Sequence, residues 1–240
     1  MCWQSLTLTK SGLKYGVDLS KIGVVIPAYN AEKTVGPLVR ELLAYGFKKD
    51  NVIVVDDGSR DRTAEVAGKL GAEVIKNPKN MGKGFALHRG FERAEAKKLD
   101  RIITLDADGQ HKVGEISGFL KAGLTYDLVI GTRVIDQERM PFLRNFVNRT
   151  TSLVISLLGQ EYVPDVQSGY RLIDLKIFRK VHLKTSNFQT ESELVYKAAR
   201  SGYRIGSTPI TAVYDGERSY IKPMIDTIRF VNMAVRFLWR

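Results

Sequence analysis

A single cysteine, Cys2, is present among 240 residues, so no disulfide can form within the chain. That excludes a disulfide-stapled scaffold and fits a reducing compartment. Long apolar runs are missing as well. No stretch reaches the ~18 consecutive apolar residues of a membrane-spanning helix. The opening MCWQSLTLTK lacks the basic segment and apolar stretch of a secretory leader. The expectation is a soluble or surface-bound protein. Internal repeats, low-complexity tracts and linkers rich in Pro, Gly or Ser are also absent, which leaves one elaborated domain rather than two independent ones. With 44% hydrophobic and 26% charged residues the composition is that of a globular chain, not a disordered or collagen-like one.

Charge is present in excess of one sign. Lys and Arg number 37 against 26 Asp and Glu, a formal net charge of +11. Residues 1–130 carry 20 basic and 16 acidic groups, and residues 131–240 carry 17 and 10, so the second part is the more basic. Such an excess suits an anionic partner or a solvated basic surface, and charge alone does not choose between them. Nucleic-acid binding would rest on this charge alone and is not expected.

From Lys21 short apolar runs alternate with longer segments of helical spacing, the pattern of an α/β domain. Ile22 to Ile26, Val52 to Val55, Val74 to Lys76, Ile102 to Leu105 and Leu128 to Ile130 read as strands buried on both faces. Val35, Leu38, Val39, Leu42 and Leu43 recur at helical spacing, as do Ala64, Val66, Ala67 and Leu70, and then Phe85, Leu87 and Phe91. Beyond Ile130 the pattern predicts a helix over Leu143 to Leu158, a strand near Tyr170 to Ile173, a helix over Glu191 to Ser201, a strand over Arg204 to Val213 and a last helix from Pro223.

Chemistry-bearing residues cluster where strands end, the edge at which ligands bind to open parallel sheets. The first strand runs into Pro27-Ala28-Tyr29-Asn30 and the second into Asp56-Asp57-Gly58-Ser59. A tyrosine ring stacks on a nucleobase and a carboxylate accepts from a ring N–H, so Tyr29 with Asp57 would make a base pocket. Asp-Asp-Gly-Ser also reads as a plain turn with a helix cap. A fourth strand runs into Asp106-Ala107-Asp108-Gly109-Gln110-His111. In an extended segment Asp106, Asp108 and Gln110 would face one side. Two such carboxylates repel unless a cation lies between them, and hard oxygen ligands suit Mg²⁺ or Mn²⁺. His111 is either a further ligand or a bystander, the bystander reading being the simpler. Asn80-Met81-Gly82-Lys83-Gly84 lacks P-loop spacing and reads as a helix start.

Taken in order, these three strand ends resemble the family 2 glycosyltransferases. Gln167-Ser168-Gly169-Tyr170-Arg171, Phe188-Gln189-Thr190-Glu191, Gly131-Thr132-Arg133 and Glu217-Arg218-Ser219-Tyr220-Ile221-Lys222 are similar to elements of the dolichyl-phosphate mannose synthase group. The resemblance covers about residues 21–223, with Tyr170 in place of the commoner phenylalanine. It implies a GT-A fold, a mostly parallel nucleotide-sugar-binding sheet flanked by helices over residues 21–222, preceded by an extension (1–20) and followed by an amphipathic helix (223–240). It also implies an inverting transfer of mannose or glucose from a nucleotide diphosphate sugar, GDP-mannose or UDP-glucose, to a polyprenyl phosphate such as dolichyl phosphate.

The donor is then expected at Pro27, Tyr29, Asn30, Glu32, Asp56, Asp57, Lys83, Asp106, Ala107 and Asp108. A divalent metal on Asp106, Asp108 and Gln110 would offset charge growing on the departing diphosphate. A lipid phosphate is already anionic and mainly needs holding, for which arginine forks are suited. Arg133, Arg144, Arg218 and Lys222 are the candidates, with Asn148 and Ser219 adding neutral hydrogen bonds, whereas Arg139, Arg149 and Arg240 read as solvated surface. Asp108, Arg133 and Glu191 form the expected catalytic set. Glu191 is implied near the sugar and Asp165 near the acceptor, though each can equally cap a helix or pair with Arg171.

A glycan hydroxyl acceptor is the alternative and would require a general base. A catalytically silent nucleotide-sugar-binding module is the other. In the segment from Pro223, Arg229, Asn232, Arg236 and Arg240 form a narrow polar stripe beside Phe230, Phe237 and Trp239. Such a helix suits a membrane interface, a core face or a membrane-protein partner. The expected location is cytoplasmic, peripheral on the cytoplasmic face of a membrane.

Overall fold

A computed structural model of the chain describes residues 13–134, 152, 165–185 and 189–211. The helix expected over Leu143 to Leu158 (Ser152 apart), the helix from Pro223, and Arg144, Asn148, Phe188, Arg218, Ser219 and Lys222 lie outside the described residues.

A two-stranded hairpin of β1 (Leu13–Lys14) and β2 (Val17–Asp18) precedes the main sheet. That sheet takes β3 (Ile22–Ala28), β4 (Val52–Asp56), β5 (Glu73–Lys76), β6 (Arg101–Thr104), β7 (Leu128–Val134), β8 (Arg171–Asp174) and β9 (Ile205–Thr211). Its spatial order is β5-β4-β3-β6-β8-β7-β9. Here β8 runs antiparallel to both β6 and β7, while the remaining four are parallel. The expected strand near Tyr170 is therefore present but reversed, so that its beginning, not its end, shares an edge with the ends of β3, β4 and β6.

The β-branched runs pack on both faces because each strand points alternate side chains to opposite sides. Val24, Ile26, Val52, Val54 and Ile103 form one face, under α1 (Val35–Tyr45) and α4 (Ile116–Ala122), which add Leu38, Val39, Leu42, Phe119 and Leu120. Val25, Ile53, Val55 and Ile102 form the other. There α3 (Lys83–Ala96) contributes Ala86, Leu87, Phe91 and Ala94, and α6 (Gln189–Arg200) contributes Leu194, Val195 and Ala198. Truncating a buried Ile or Leu of this set to alanine would cost about 2–5 kcal/mol. Two shorter helices, α2 (Thr63–Lys69) and α5 (Leu175–Lys180), complete the cover. After β5 the chain crosses back to place β6 on the opposite side of β3 from β4. A crevice opens at such a reversal of strand order, and the loops after β3, β4 and β6 meet there.

Candidate active site

The loops after β3 and β4 are tied side by side. Asp57 N donates to Ala28 O at 2.8 Å, Asn30 N to Ser59 Oγ at 2.9 Å, and Arg60 N to Asn30 Oδ1 at 2.9 Å. Farther along, Ala31 N donates to Thr63 Oγ1 at 2.7 Å and Arg62 N to Glu32 Oε2 at 3.1 Å. Pro27, Tyr29, Asn30 and Glu32 thus share a rim with Asp56 and Asp57. Asp56 accepts from Ser59 N at 3.0 Å, the turn contact that its sequence context suggests. Asp57 is 3% exposed, and its carboxylate accepts from Asn77 Nδ2 at 2.6 Å, Met81 N at 3.0 Å and Gly82 N at 2.8 Å. The same aspartate therefore holds the loop that delivers Lys83 at the start of α3. Gly58 permits this contact, since at φ +74° it avoids strain and a Cβ would fall on the backbone of Lys79 and Asn80.

Asp106 and Asp108 come together differently from an extended row. Strand β6 ends at Thr104 and residues 107–109 turn, with Gly109 at φ +78° and Gln110 N donating to Asp108 Oδ1 at 3.0 Å. Thr34 Oγ1 donates to Ala107 O from across the crevice. His111 is tied to this turn as well: Asp106 N donates to its Nδ1 at 3.2 Å, and its ring lies 4.9 Å from that of Tyr170. Burial lowers the pKa of the imidazole despite the two nearby carboxylates, so it is neutral and its Nδ1 lone pair is already used. The Tyr170 hydroxyl that distinguishes this chain from the phenylalanine pattern donates to Lys112 O at 3.1 Å and tethers the far end of the same loop.

Lys83 Nζ stands 2.7 Å from Asp106 Oδ1 and 3.0 Å from Glu191 Oε1. Burial opposes charge on this ammonium, but Asp106 and Glu191 outweigh it and hold its pKa above the ordinary value. Burial likewise opposes the charge of Asp106, and the Lys83 ammonium more than offsets this, so its carboxyl is lowered. Asp108 goes the other way: burial and then the charge of Asp106 raise it. The second carboxylate of the pair thus lacks a full counter-charge. Among the described residues no cluster of three or more His, Cys, Asp or Glu surrounds them. An under-neutralised carboxylate next to a second one fits Mg²⁺ or Mn²⁺, which keep waters and accept phosphate oxygens as ligands. Gly169 gives that pair its room, because a Cβ there would lie 2.5 Å from Asp106 Oδ2 and 2.8 Å from Lys83 Nζ.

The end of β7 and the turn that leads into the reversed strand β8 bring the second group of residues to this edge. Arg133 Nε donates to Asp165 Oδ2 at 2.7 Å and its Nη2 to Asp165 Oδ1 at 2.8 Å, a two-point pair. Asp165 therefore pairs with Arg133 rather than Arg171. Arg171, 1% exposed, spends its guanidinium on the carbonyls of Val166, Ser168 and Glu191. It braces the 165–170 turn against α6, and it meets the backbone of Glu191 while the Glu191 carboxylate goes to Lys83. Neither of the sequence-based pairings with Arg171 is formed through a carboxylate.

One buried acid has no counterpart in the motifs. Glu193, 2% exposed, accepts from Lys184 N at 3.0 Å, Thr185 N at 2.8 Å, Thr185 Oγ1 at 2.7 Å and Lys197 Nζ at 2.5 Å. It fastens residues 184–185 to α6, two positions beyond Glu191. The i,i+4 spacing of Glu193 and Lys197 is its one trace in the sequence. Burial alone would raise this carboxyl, but Lys197, Thr185 and Lys184 outweigh it and hold it below its ordinary value of 4.5. The stabilisation is therefore complete above that value and disappears as pH falls through the lowered one. Glu193→Gln is expected to cost about 1–3 kcal/mol at neutral pH and to flatten the loss of stability on acidification. Urea midpoints measured across the acid range check this, and an unaltered acid limb would contradict it.

The match to the glycosyl transferase family 2 model spans residues 23–181, from β3 through the strand ends, the carboxylate pair and β8. The chain belongs to this family. This glycosyltransferase is 35% identical over 205 residues to an uncharacterized protein of Methanocaldococcus jannaschii, covering 82% of this chain and 84% of that one. It is 31% identical over 218 residues to the UDP-N-acetylglucosamine–dolichyl-phosphate N-acetylglucosaminyltransferase of Methanococcus voltae, covering 80% and 86%. To the undecaprenyl-phosphate mannosyltransferase of Micrococcus luteus it is 29% identical, covering 80% and 84%. Among solved structures, glucosyl-3-phosphoglycerate synthase of Mycobacterium tuberculosis, in complex with Mn²⁺, UDP-glucose and phosphoglyceric acid, superposes with a TM-score of 0.68 at 22% identity. That match covers 97% of the glycosyltransferase and 85% of the synthase and confirms the GT-A fold. Among the described residues no helix is long and apolar enough to cross a membrane.

Proposed function

We propose that this glycosyltransferase moves a hexose, with inversion, from a nucleotide diphosphate sugar to a polyprenyl phosphate. The observation that carries the reading is that two differently built halves share one sheet edge. The Asp106–Asp108–Lys83 group lies on the donor side, and the Arg133–Asp165 pair on the acceptor side. Relatives named for dolichyl- and undecaprenyl-phosphate acceptors support the second half of the assignment.

In this reading Pro27, Tyr29, Asn30, Glu32, Asp56 and Asp57 receive the nucleoside. Asp106, Asp108 and Gln110 would hold Mg²⁺ or Mn²⁺, which supplies positive charge to the departing diphosphate. Lys83 adds an ammonium that, without donor, lies against Asp106 and Glu191, and Ala107 lines the donor between the two aspartates. Arg133, oriented by Asp165, addresses the acceptor phosphate, with Arg144, Asn148, Arg218, Ser219 and Lys222 as its proposed companions. A phosphate monoester needs no general base, being anionic at neutral pH. That fits the state of the acids in the described residues: Glu191 is paired with Lys83 and Asp165 with Arg133, which disfavours a glycan hydroxyl as acceptor. Residues 223–240 are proposed to rest on the cytoplasmic face of a membrane or on a membrane-protein partner, where the acceptor resides.

The test is to offer radiolabelled GDP-mannose, UDP-glucose and UDP-N-acetylglucosamine with dolichyl or undecaprenyl phosphate and extract with organic solvent. Label entering the lipid phase is expected for one donor. Donor hydrolysis with no lipid product under any pairing would refute the acceptor assignment, and a donor that binds but is neither hydrolysed nor transferred would favour the silent module.

A further inference from the structure

The metal-binding carboxylate proposed above already has a cation on it. Lys83 Nζ engages Asp106 Oδ1 at 2.7 Å and Glu191 Oε1 at 3.0 Å, and its side chain is only 17% exposed. The backbone of Gly169 closes this arrangement from one side, leaving no space for a methyl group against either Asp106 Oδ2 or Lys83 Nζ. A divalent cation approaching Asp106 and Asp108 therefore meets a positive charge that competes for the same oxygen, and the two repel in a partly desolvated site. Lys83 is the first residue of α3, so its long stem can swing from a fixed Cα. The α3 end itself is held by Asp57 through Met81 N and Gly82 N, so a swing of the ammonium does not require its helix to move.

We propose that Lys83 is a resident counter-ion which the metal must displace, so that metal and nucleoside diphosphate enter together. The diphosphate supplies the oxygens that receive the ammonium as it leaves Asp106, and the vacated carboxylate then joins Asp108. Asp106 stays neutralised in both states, by Lys83 before and by the divalent cation after. An isolated metal ion gains little on this site, and donor binding is the event that charges it. The inference rests on the assignment of Asp106 and Asp108 as metal ligands.

The test measures Mn²⁺ binding to the full chain by the electron paramagnetic resonance of free Mn²⁺, with and without UDP or GDP. In the wild-type chain, a saturating diphosphate is expected to tighten Mn²⁺ about tenfold or more, with the same factor on the nucleotide's own affinity. Lys83→Met is expected to bind Mn²⁺ alone about tenfold more tightly than wild type and to lose most of that coupling. Lys83→Gln, which keeps a hydrogen-bonding group between the two carboxylates, should behave alike and serves if the methionine variant fails to fold. Unchanged or weaker binding of Mn²⁺ alone in a folded Lys83 variant overturns the exchange, as does a wild-type affinity indifferent to nucleotide. A wild-type chain that takes up no Mn²⁺ even with diphosphate present overturns the metal assignment itself, and so is distinguishable from failure of the exchange alone.

Discussion

Asp108→Asn is expected to slow glycosyl transfer by on the order of 10²-fold or more while leaving the fold as stable as before or slightly more so. The asparagine keeps the volume of the side chain and an oxygen for the Gln110 N–H, which donates to Asp108 Oδ1 at 3.0 Å. It removes a carboxyl that burial and the charge of Asp106 already push upward. Folding therefore loses little and is relieved of a repulsion, whereas a metal loses an anionic ligand. This opposition of stability and activity is the pattern of a functional charge rather than a structural one. The check is transfer of label to lipid alongside thermal unfolding of both proteins. Normal transfer by the variant would remove Asp108 from the machinery, and lost transfer with a collapsed melting temperature would make it a scaffold residue.

Gly169→Ala should be almost as damaging, about 10²-fold in rate, although it alters no charge. A Cβ at this position would lie 2.5 Å from Asp106 Oδ2, 2.9 Å from Asp106 Cγ and 2.8 Å from Lys83 Nζ. Something must shift, and the backbone of Gly169 is itself fixed because its carbonyl accepts from Thr104 Oγ1 at 2.7 Å. The side chains of Asp106 and Lys83 are then the parts that move. Overpacking of this kind costs about 1–3 kcal/mol in stability. Kinetics would show a fall in turnover and weaker nucleotide binding together, and near-normal turnover would contradict the close packing of donor site and β8.

Much of the architecture is legible in the sequence because it is written in local pattern. Val52 to Val55 and Ile102 to Leu105 are short, β-branched and followed by acidic turns, so both the strands and the chemistry at their ends can be read without coordinates. The direction of β8 cannot. Residues 171–174 carry the same apolar signal whether they run parallel or antiparallel, and pairing depends on neighbours more than 40 residues away in sequence, Ile130 facing Arg171 among them. The same limit hides the partner of Asp165, since only the fold brings Arg133 to it. Asp106 and Asp108 are carried by a turn closed by Gly109 rather than by strand alternation. Asp57 shows a third kind of limit. Its type and place suggest a nucleobase contact, while its carboxylate also takes three N–H donors from residues 77–82, a role that no spacing rule announces.

The Arg133–Asp165 pair also has a consequence for how this family can vary. Its two members are 32 positions apart in sequence, and they clamp the start and finish of that excursion at one point beside the crevice. For a chain whose ends are already pinned, the entropic charge for extra length grows only logarithmically, about 0.6 kcal/mol for each doubling. A change of length between the two paired positions therefore costs the pair itself little. The donor side has no such latitude, because its loops are stitched to one another bond by bond. Under the proposed assignment of the two sides, variation in length between Arg133 and Asp165 is the cheap route to a new acceptor, and the loops bonded to one another after β3 and β4 are the costly one to alter.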